Sequence, residues 1–365
     1  MSHAEDQKSR PGLDIGERMP NFSLPDDAGQ AFLFYEFAVG DPVILLAHGA
    51  QTDEDTVRED LHRLNAWWSA GQQAVLIALR PGEVIANARL AEELALFFPL
   101  LTDGKGDLIA QAFGTPLDAG EGLFALILDR NLRVLERVEP GRTVEAVFEG
   151  LADDLARRAA APDVTAAMTA PVLIVPDVIP ELIRRMLMDR FEGWDPQASP
   201  MPTLDDGALS TALDQTAKDR MDVVLKDKAV TQALTALIAK RVLPEIYKAF
   251  WYRVTRFETL KLVRYGARTG GYFKAHRDNT APDTAHRRFA LTINLNTDDY
   301  RGGGLVFPEY GPTVYAPAPG GAVVFSGAHA HEVLPVTDGN RFALISFLSG
   351  EDGTRPAAPA ASPAD

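Results

Sequence analysis

Residues 271–279 read GYFKAHRDN, and they place His276 and Asp278 two positions apart, straight after glycines and aromatics. In an extended strand residues i and i+2 project from one face, so both side chains enter whatever that face covers. Alone, such a pair is weak evidence, because His-x-Asp occurs by chance and two polar residues in a strand is the plainer reading. Working outward, the segments VTRFETLKLVRYG, YFKAHRD, RRFALTINLN, GGGLVFPE, AVVFSG, AHEVLPV and RFALISFL share a period of two and are separated by Gly, Asp and Asn. That pattern predicts a run of short strands after Arg253, hence a β-sandwich or small barrel with helices on one side.

Bulk composition limits what such a domain does. The chain has 365 residues, enough for two domains with their own cores, and 46% of it is apolar. A net charge of −15 disfavours nucleic acid or an anionic membrane as the main partner. There is no cysteine, which excludes disulfides, zinc-thiolate sites and thiol catalysis. The polar start MSHAEDQKSRPG and the lack of a long apolar run lead to the expectation of a cytoplasmic protein without a membrane span.

Before the β region the pattern differs. PVILLAHG and QAVLIAL read as buried strands, DEDTVREDLHRLNAWW and EVIANARLAEELALFF as helices, and LFALILDRNLRVLERVE as two strands about an Asp-Arg-Asn-Leu turn. Strands alternating with helices predict a three-layer α/β domain over residues 18–157. RTVEAVFEGLADDLARR begins as a helix and decays into an Ala-rich stretch, giving a linker at 158–170 and a second domain at 171–350. In that domain ELIRRMLMDRFEGW is a helix, and Pro244 is expected to break the helical stretch from Lys228 to Arg253. The termini, 1–17 and 351–365, have the composition of disordered segments. No internal repeat is evident.

Of seven histidines, four lie in the β region: His276, His286, His329 and His331. A third metal ligand is therefore at hand, and two histidines plus one carboxylate make a facial triad that holds Fe(II) and leaves positions open for a chelating co-substrate and O2. His329 and His331 share strand parity, so parity does not choose between them. Ten residues after His331 comes Arg341, whose guanidinium can clamp the far carboxylate of a dicarboxylic acid.

Four ordered segments, YGARTGGYFKAHRDN, RRFALTINLN, YRGGGLVFPEYG and HEVLPVTDGNRFALISFL, resemble the catalytic domain of prolyl 4-hydroxylase-type Fe(II)/2-oxoglutarate dioxygenases. In that family H-x-D is followed after fifty to sixty residues by His, then a basic residue nine to ten further on; here the steps are 55 and 10. The resemblance implies a double-stranded β-helix, or jelly roll, with flanking helices. It assigns the metal to His276, Asp278 and His331, and 2-oxoglutarate to Arg341 with help from Tyr265; strand parity alone, in alternation with Leu291, Ile293 and Leu295, turns Thr292 and Asn294 toward the same pocket. It implies O2 as co-substrate, ascorbate as reductant, and hydroxylation of a peptide or small molecule. His329 is then expected at the substrate mouth and His286 in an exposed loop.

PNFSLPDDAGQ, DPVILLAHGAQTDEDTVREDL and LFALILDRNLRVLERVE resemble the thioredoxin-fold peroxiredoxins. Aligned on Thr52, the family's cysteine position is Asp55 and its proline position His48. Without a thiolate there is no peroxidatic chemistry, so the resemblance implies a degenerate domain kept as a scaffold, for dimerisation or for docking a partner. The alternative function is a binding or sensor protein in which this domain recruits a partner and the iron site is regulatory.

Overall fold

In a computed structural model of the chain, the structure describes residues 12–38, 41–49, 51–69, 74–114, 121–138, 148, 151–152, 169–199, 201–205, 208–212 and 217–351. It divides into two compact units, residues 1–164 and 165–365, and the division falls inside the stretch read as a linker. Residues 1–11, 158–168 and 352–365, on which the terminal and linker expectations mostly rest, lie outside the described residues, as does most of the helix read in RTVEAVFEGLADDLARR.

In the first unit β1 (Ser23–Pro25) and β2 (Ala31–Leu33) form a hairpin beside the short helix α1 (Phe34–Phe37). The central sheet has β3 (Val43–His48) at its middle, parallel to β4 (Val75–Arg80), which is parallel to β5 (Leu100–Thr102). On its other side β3 pairs antiparallel with β6 (Leu123–Leu128), and β6 with β7 (Val134–Val138). All six residues of β3 are buried, because both faces are covered. Ile44 and Leu46 pack with Val57, Leu61 and Leu64 of α2 (Glu54–Ser69) and Leu90 of α3 (Val84–Glu93). Val43, Leu45 and Ala47 pack on the opposite side with Phe34, and with Ile109 and Phe113 of α4 (Asp107–Phe113). Helix, sheet and helix are the three layers of a thioredoxin-like α/β fold.

Two expectations at the edges of this fold are corrected. Residues 12–17 are ordered: Leu13 N donates to Ala112 O, Gly16 N to Val134 O, and the buried Arg133 guanidinium holds Gly16 O. Closing strand β7 leaves carbonyl acceptors that this segment satisfies, which its polar composition does not reveal. At the other end Glu351, read as the first residue of a disordered tail, accepts hydrogen bonds from Thr255 and Arg256.

The second unit opens with Ala170, already buried, and β8 (Leu173–Val175), followed by α5 (Glu181–Asp189). Then come β9 (Gln197–Ala198), the hairpin of β10 (Met201–Asp205) and β11 (Ala208–Ala212), β12 (Lys218–Asp219) and β13 (Met221–Val224). Helix α6 (Lys228–Arg241), capped by the Asp227 carboxylate, meets α7 (Leu243–Phe250) at Val242, so Pro244 does break the helix, sitting in the first turn of α7 where its missing N–H costs nothing. The remaining strands are β14 (Arg256–Phe257), β15 (Lys261–Gly266), β16 (Tyr272–His276), β17 (Phe289–Asn294), β18 (Arg301–Gly302), β19 (Leu305–Val306), β20 (Val314–Tyr315), β21 (Ala322–Ser326), β22 (His331–Val333), β23 (Val336–Asp338) and β24 (Asn340–Ser349).

They assemble into a major sheet, in the order β8-β21-β17-β24-β15-β13-β9 with β14 also on β24, and a minor sheet, β12-β16-β22-β19-β20. Side-chain alternation sorts the major sheet into two faces. Leu291 and Ile293 of β17 join Leu344 and Leu348 of β24 against Leu187, Leu234, Ile238 and Ile246 of the helices. Ala290, Ala343, Val263 and Val323 turn the other way, toward Leu305, Phe307 and Val333 on the minor-sheet side. This is a double-stranded β-helix with helices on its outer face, and the space between its sheets holds the site.

Candidate metal centre

The minor sheet brings the two histidines together. β16 pairs antiparallel with β22 so that Phe273 faces Val333 and His276 faces His331 directly. Three steps on β16 oppose two on β22, which is a β-bulge. The extra residue re-aims the strand: Phe273 and His276, which strict alternation would put on opposite faces, stack with ring centroids 3.4 Å apart. Asp278 follows the strand, and its N–H donates to Gly327 O.

One nitrogen or oxygen from each of His276, Asp278 and His331 lies within 4.8 Å of the others. His276 Nε2 is 3.6 Å from Asp278 Oδ1, and His331 Nε2 is 3.3 Å from Asp278 Oδ2. The opposite ring nitrogens are occupied: His276 Nδ1 is 2.8 Å from Lys274 O and His331 Nδ1 is 3.0 Å from His329 O. A carbonyl only accepts, so each Nδ1 carries a hydrogen and each Nε2 is left facing the centre. Burial alone would push the Asp278 carboxyl up, but its bond to His276 and the nearby His331 and Arg287 outweigh that and hold it below the usual carboxylate range. Burial pushes the His331 imidazole down, against the pull of Asp278. The donor set is thus one carboxylate and two imidazoles, a set that suits a divalent ion. Phe325 packs edge-on against His331 at 4.6 Å and fixes its ring plane.

Arg341 and Tyr265 are cross-strand partners on β24 and β15, on the face that looks between the sheets. Arg341 is 3% exposed, and its guanidinium lies 5.1 Å from the centroid of the Tyr265 ring. Nη2 donates to Asn294 Oδ1 at 3.1 Å, while buried Nε has no hydrogen-bond partner. A buried guanidinium held only by an amide is incompletely satisfied, which fits the far carboxylate of a dicarboxylic acid. Gly303 makes room for it, since a Cβ there would stand 3.1 Å from Arg341 Cδ and 2.9 Å from Val336, with φ at +64°.

These residues line one cleft of about 600 Å3, with Thr292 (9% exposed) on its major-sheet wall. His276, Asp278, His331, Arg341, Tyr265 and Thr292 are therefore brought together, and Asn294 bonds Arg341 from the adjoining strand. His329 is not in the cleft lining; its Nδ1 meets Tyr310 Oη at 3.3 Å. His286 is not an exposed loop residue either, for its Nε2 is 2.9 Å from Glu258 and its side chain is 9% exposed. The same Glu258 binds Arg287 through both carboxylate oxygens, and Arg287 Nη1 reaches Asp278 O at 3.2 Å, so a half-buried acid organises this corner.

The sequence reading missed Arg220. It stands where the chain crosses from β12 in the minor sheet to β13 in the major sheet, gripped by Asp222 at 2.6 and 2.7 Å, and it donates to Ser199 Oγ and to Tyr265 Oη at 3.2 Å. Lys218, two residues earlier, lines the cleft with its Nζ 4.8 Å from the Phe273 ring centroid. The spacing of Lys218, Arg220 and Asp222 was the available signal. In the first unit His48 Nε2 bonds Asp60 Oδ2 at 3.1 Å, and Asp55 is exposed in the first turn of α2.

Residues 260–349 match the family model described as the 2OG-Fe(II) oxygenase superfamily. The chain is similar to a rat procollagen-lysine,2-oxoglutarate 5-dioxygenase 1, at 33% identity over 102 residues, 27% of this chain and 13% of the rat protein. It is also similar to the mouse procollagen-lysine,2-oxoglutarate 5-dioxygenase 2, at 27% over 133 residues, 35% of this chain and 17% of that protein. The chain thus spans a small part of these relatives' length. Among solved structures, a prolyl-4-hydroxylase from Pseudomonas putida aligns with TM-score 0.38 and 20% identity, over 50% of this chain and 93% of that one. A peroxidoxin, BcpB, from Mycobacterium tuberculosis aligns with TM-score 0.34 and 23% identity, over 41% and 99%.

Proposed function

Because residues 260–349 carry a 2OG-Fe(II) oxygenase superfamily domain, we propose that this protein is an Fe(II)- and 2-oxoglutarate-dependent dioxygenase that hydroxylates a C–H bond in a peptide or small-molecule substrate. The observation that carries the reading is the convergence of His276, Asp278 and His331 with both Nε2 atoms directed inward. His276, Asp278 and His331 hold the metal, and Arg341 holds the distal carboxylate of 2-oxoglutarate. Bound iron supplies the oxidising chemistry, in which 2-oxoglutarate and O2 yield succinate, CO2 and a substrate that has gained one oxygen atom.

The chain's own residues do the positioning. Lys274 O and His329 O each accept from an Nδ1–H and so turn both Nε2 atoms toward the metal position. Arg341 presents a charged donor at the buried end of the cleft, steadied by Asn294 and stacked near Tyr265. Tyr265 Oη accepts from Arg220 and so has its own hydrogen to give to the same carboxylate. Thr292 offers a hydroxyl on the adjoining strand. Val263, Ala290, Phe325 and Ala343 supply an apolar wall that excludes water from the reacting centre. Ascorbate serves as the reductant that keeps iron ferrous.

Names of the relatives specify procollagen lysine; for this chain a peptide is one substrate class and a small molecule the other. The first unit, with Asp55 in place of a thiol, is a non-catalytic scaffold or docking module in this reading. The test is an anaerobic titration of purified protein with Fe(II) and then 2-oxoglutarate, followed by O2 and measurement of succinate. Binding of 2-oxoglutarate and iron-dependent succinate are expected; no 2-oxoglutarate binding, or unchanged turnover in His276→Ala, would overturn the proposal.

A further inference from the structure

Of the three residues at the metal centre, Asp278 is the one that lies outside a strand. His276 and His331 face each other in the ladder of β16 and β22, whereas Asp278 comes two residues after the end of β16. Its main chain is held from the major sheet instead. The Asp278 N–H donates at 2.9 Å to the carbonyl of Gly327, just after β21, and its C=O accepts at 3.2 Å from Nη1 of Arg287, just before β17. A residue held through its N–H alone can swing about that bond. One held through N–H and C=O together has only its side-chain torsions left with which to aim the carboxylate.

Arg287 can serve as an anchor because it is fixed in its turn. Its Nε and Nη2 donate to the two carboxylate oxygens of Glu258, at 2.7 and 2.8 Å, and its guanidinium lies 3.8 Å from the centroid of the Phe347 ring. Glu258 is fastened to β24: its N–H donates to Phe347 O at 2.9 Å, and its C=O accepts from Ser346 Oγ at 2.8 Å. A line of hydrogen bonds thus runs from the middle strand of the major sheet, through Glu258 and Arg287, to the Asp278 main chain. The Glu258 carboxylate has a second partner in His286, whose Nε2 is 2.9 Å from Oε1. That branch stops at the imidazole, since the buried His286 Nδ1 has no hydrogen-bond partner.

We propose that Glu258 and Arg287 are positioning residues of the metal centre, which hold the Asp278 main chain so that its carboxylate stays between the two imidazoles. This deepens the reading of the site given above and rests on it. The imidazoles belong to the minor sheet and are set by its ladder; the carboxylate is set from the major sheet. The Glu258–Arg287 pair therefore ties the two sheets together across the metal position. It also shares a frame with the co-substrate pocket, because Ser346 and Phe347, which hold Glu258, lie on the same strand as Arg341.

The experiment measures the Mn(II) affinity of the full chain by electron paramagnetic resonance of the free ion, and the visible absorption of the Co(II) form as a signature of ligand geometry. Glu258→Gln keeps the size of the side chain and removes its charge. It is expected to weaken Mn(II) binding about 10-fold, as loss of a ligand's hydrogen-bonded support does, and to shift the Co(II) bands. Arg287→Lys should do the same, because one ammonium does not span both the Glu258 carboxylate and the Asp278 carbonyl. The double variant should lose little more than either single one, since both act through that carbonyl. His286→Gln is the control: it removes the other partner of Glu258 and should leave Mn(II) affinity within about twofold, with the Co(II) bands in place, as an uncoupled position does. Thermal midpoints of the metal-free proteins report folding, and if Glu258→Gln does not fold, Arg287→Lys is read against His286→Gln. Parent-like Mn(II) affinity and Co(II) bands in Glu258→Gln and Arg287→Lys, or equal losses in His286→Gln, would overturn the proposal. A parent chain that binds neither ion, or binds them as well after His276→Ala, would instead overturn the reading of the site itself.

Discussion

Arg341 is the residue whose surroundings most constrain its role. It has Asn294 as a hydrogen-bond partner, Tyr265 as a ring neighbour, and a buried Nε without a hydrogen bond. In Arg341→Ala the affinity for 2-oxoglutarate should fall roughly 10- to 100-fold, the worth of a charged bidentate contact, while Mn(II) affinity measured by electron paramagnetic resonance stays within about twofold. Loss of both together would argue for collapse of the cleft. Lys218 supports a second test at this scale. Its ammonium is pushed down to about 8, so the charge is present below that pH and is lost as pH rises through it. After reductive methylation with 13C-formaldehyde, one dimethyl-lysine signal should titrate near pH 8 and disappear in Lys218→Met; a protein whose lysines all titrate near the ordinary value would refute this. The grouping of His276, Asp278 and His331 was legible in the sequence because residue type and spacing encode it together. Arg220 was not, since its partners Ser199, Asp222 and Tyr265 come from three separate strands or loops, and nothing local says that a charge at that position is buried.

At the level of elements, β17 was readable from alternation alone: Leu291 and Ile293 meet the helices, and Ala290 and Thr292 face the cleft. β16 was only half readable. Its bulge sets Phe273 on His276, and a bulge is a property of pairing with β22 more than of the five residues YFKAH. The turn leading into β19 tests how tightly the elements fit. Gly303 has φ +64° and no space for a Cβ beside Val336 and Arg341. Gly303→Ala is expected to cost about 1–3 kcal/mol in urea unfolding and to weaken 2-oxoglutarate binding, because the strain is relieved by moving Arg341. Stability and affinity both unchanged would show that this turn yields freely. Residues 12–17 are the counterpart among illegible elements. Their composition reads as a tail, and contacts remote in sequence give them a place, among them the carbonyls of Ala112 and Val134 and the guanidinium groups of Arg133 and Arg137.

For the whole molecule, each hydrophobic core closes within its own unit: two lie on the faces of the sheet centred on β3, and two on the faces of the major sheet. Calorimetry should therefore resolve two unfolding transitions, and Mn(II) with 2-oxoglutarate should raise only the one belonging to residues 165–365. A single transition moving as one would show that the units melt cooperatively. The directly opposed histidines have a final consequence. The minor sheet is made of strands two to five residues long, and His276 and His331 are one of its few cross-strand pairs. If His276 and His331 hold an ion as proposed, it would fasten strand to strand as a rivet does, joining positions 55 residues apart in the chain. In the proposed reading, metal occupancy and the cohesion of that wall would then be one variable, so metal loading should firm the cleft as well as complete it.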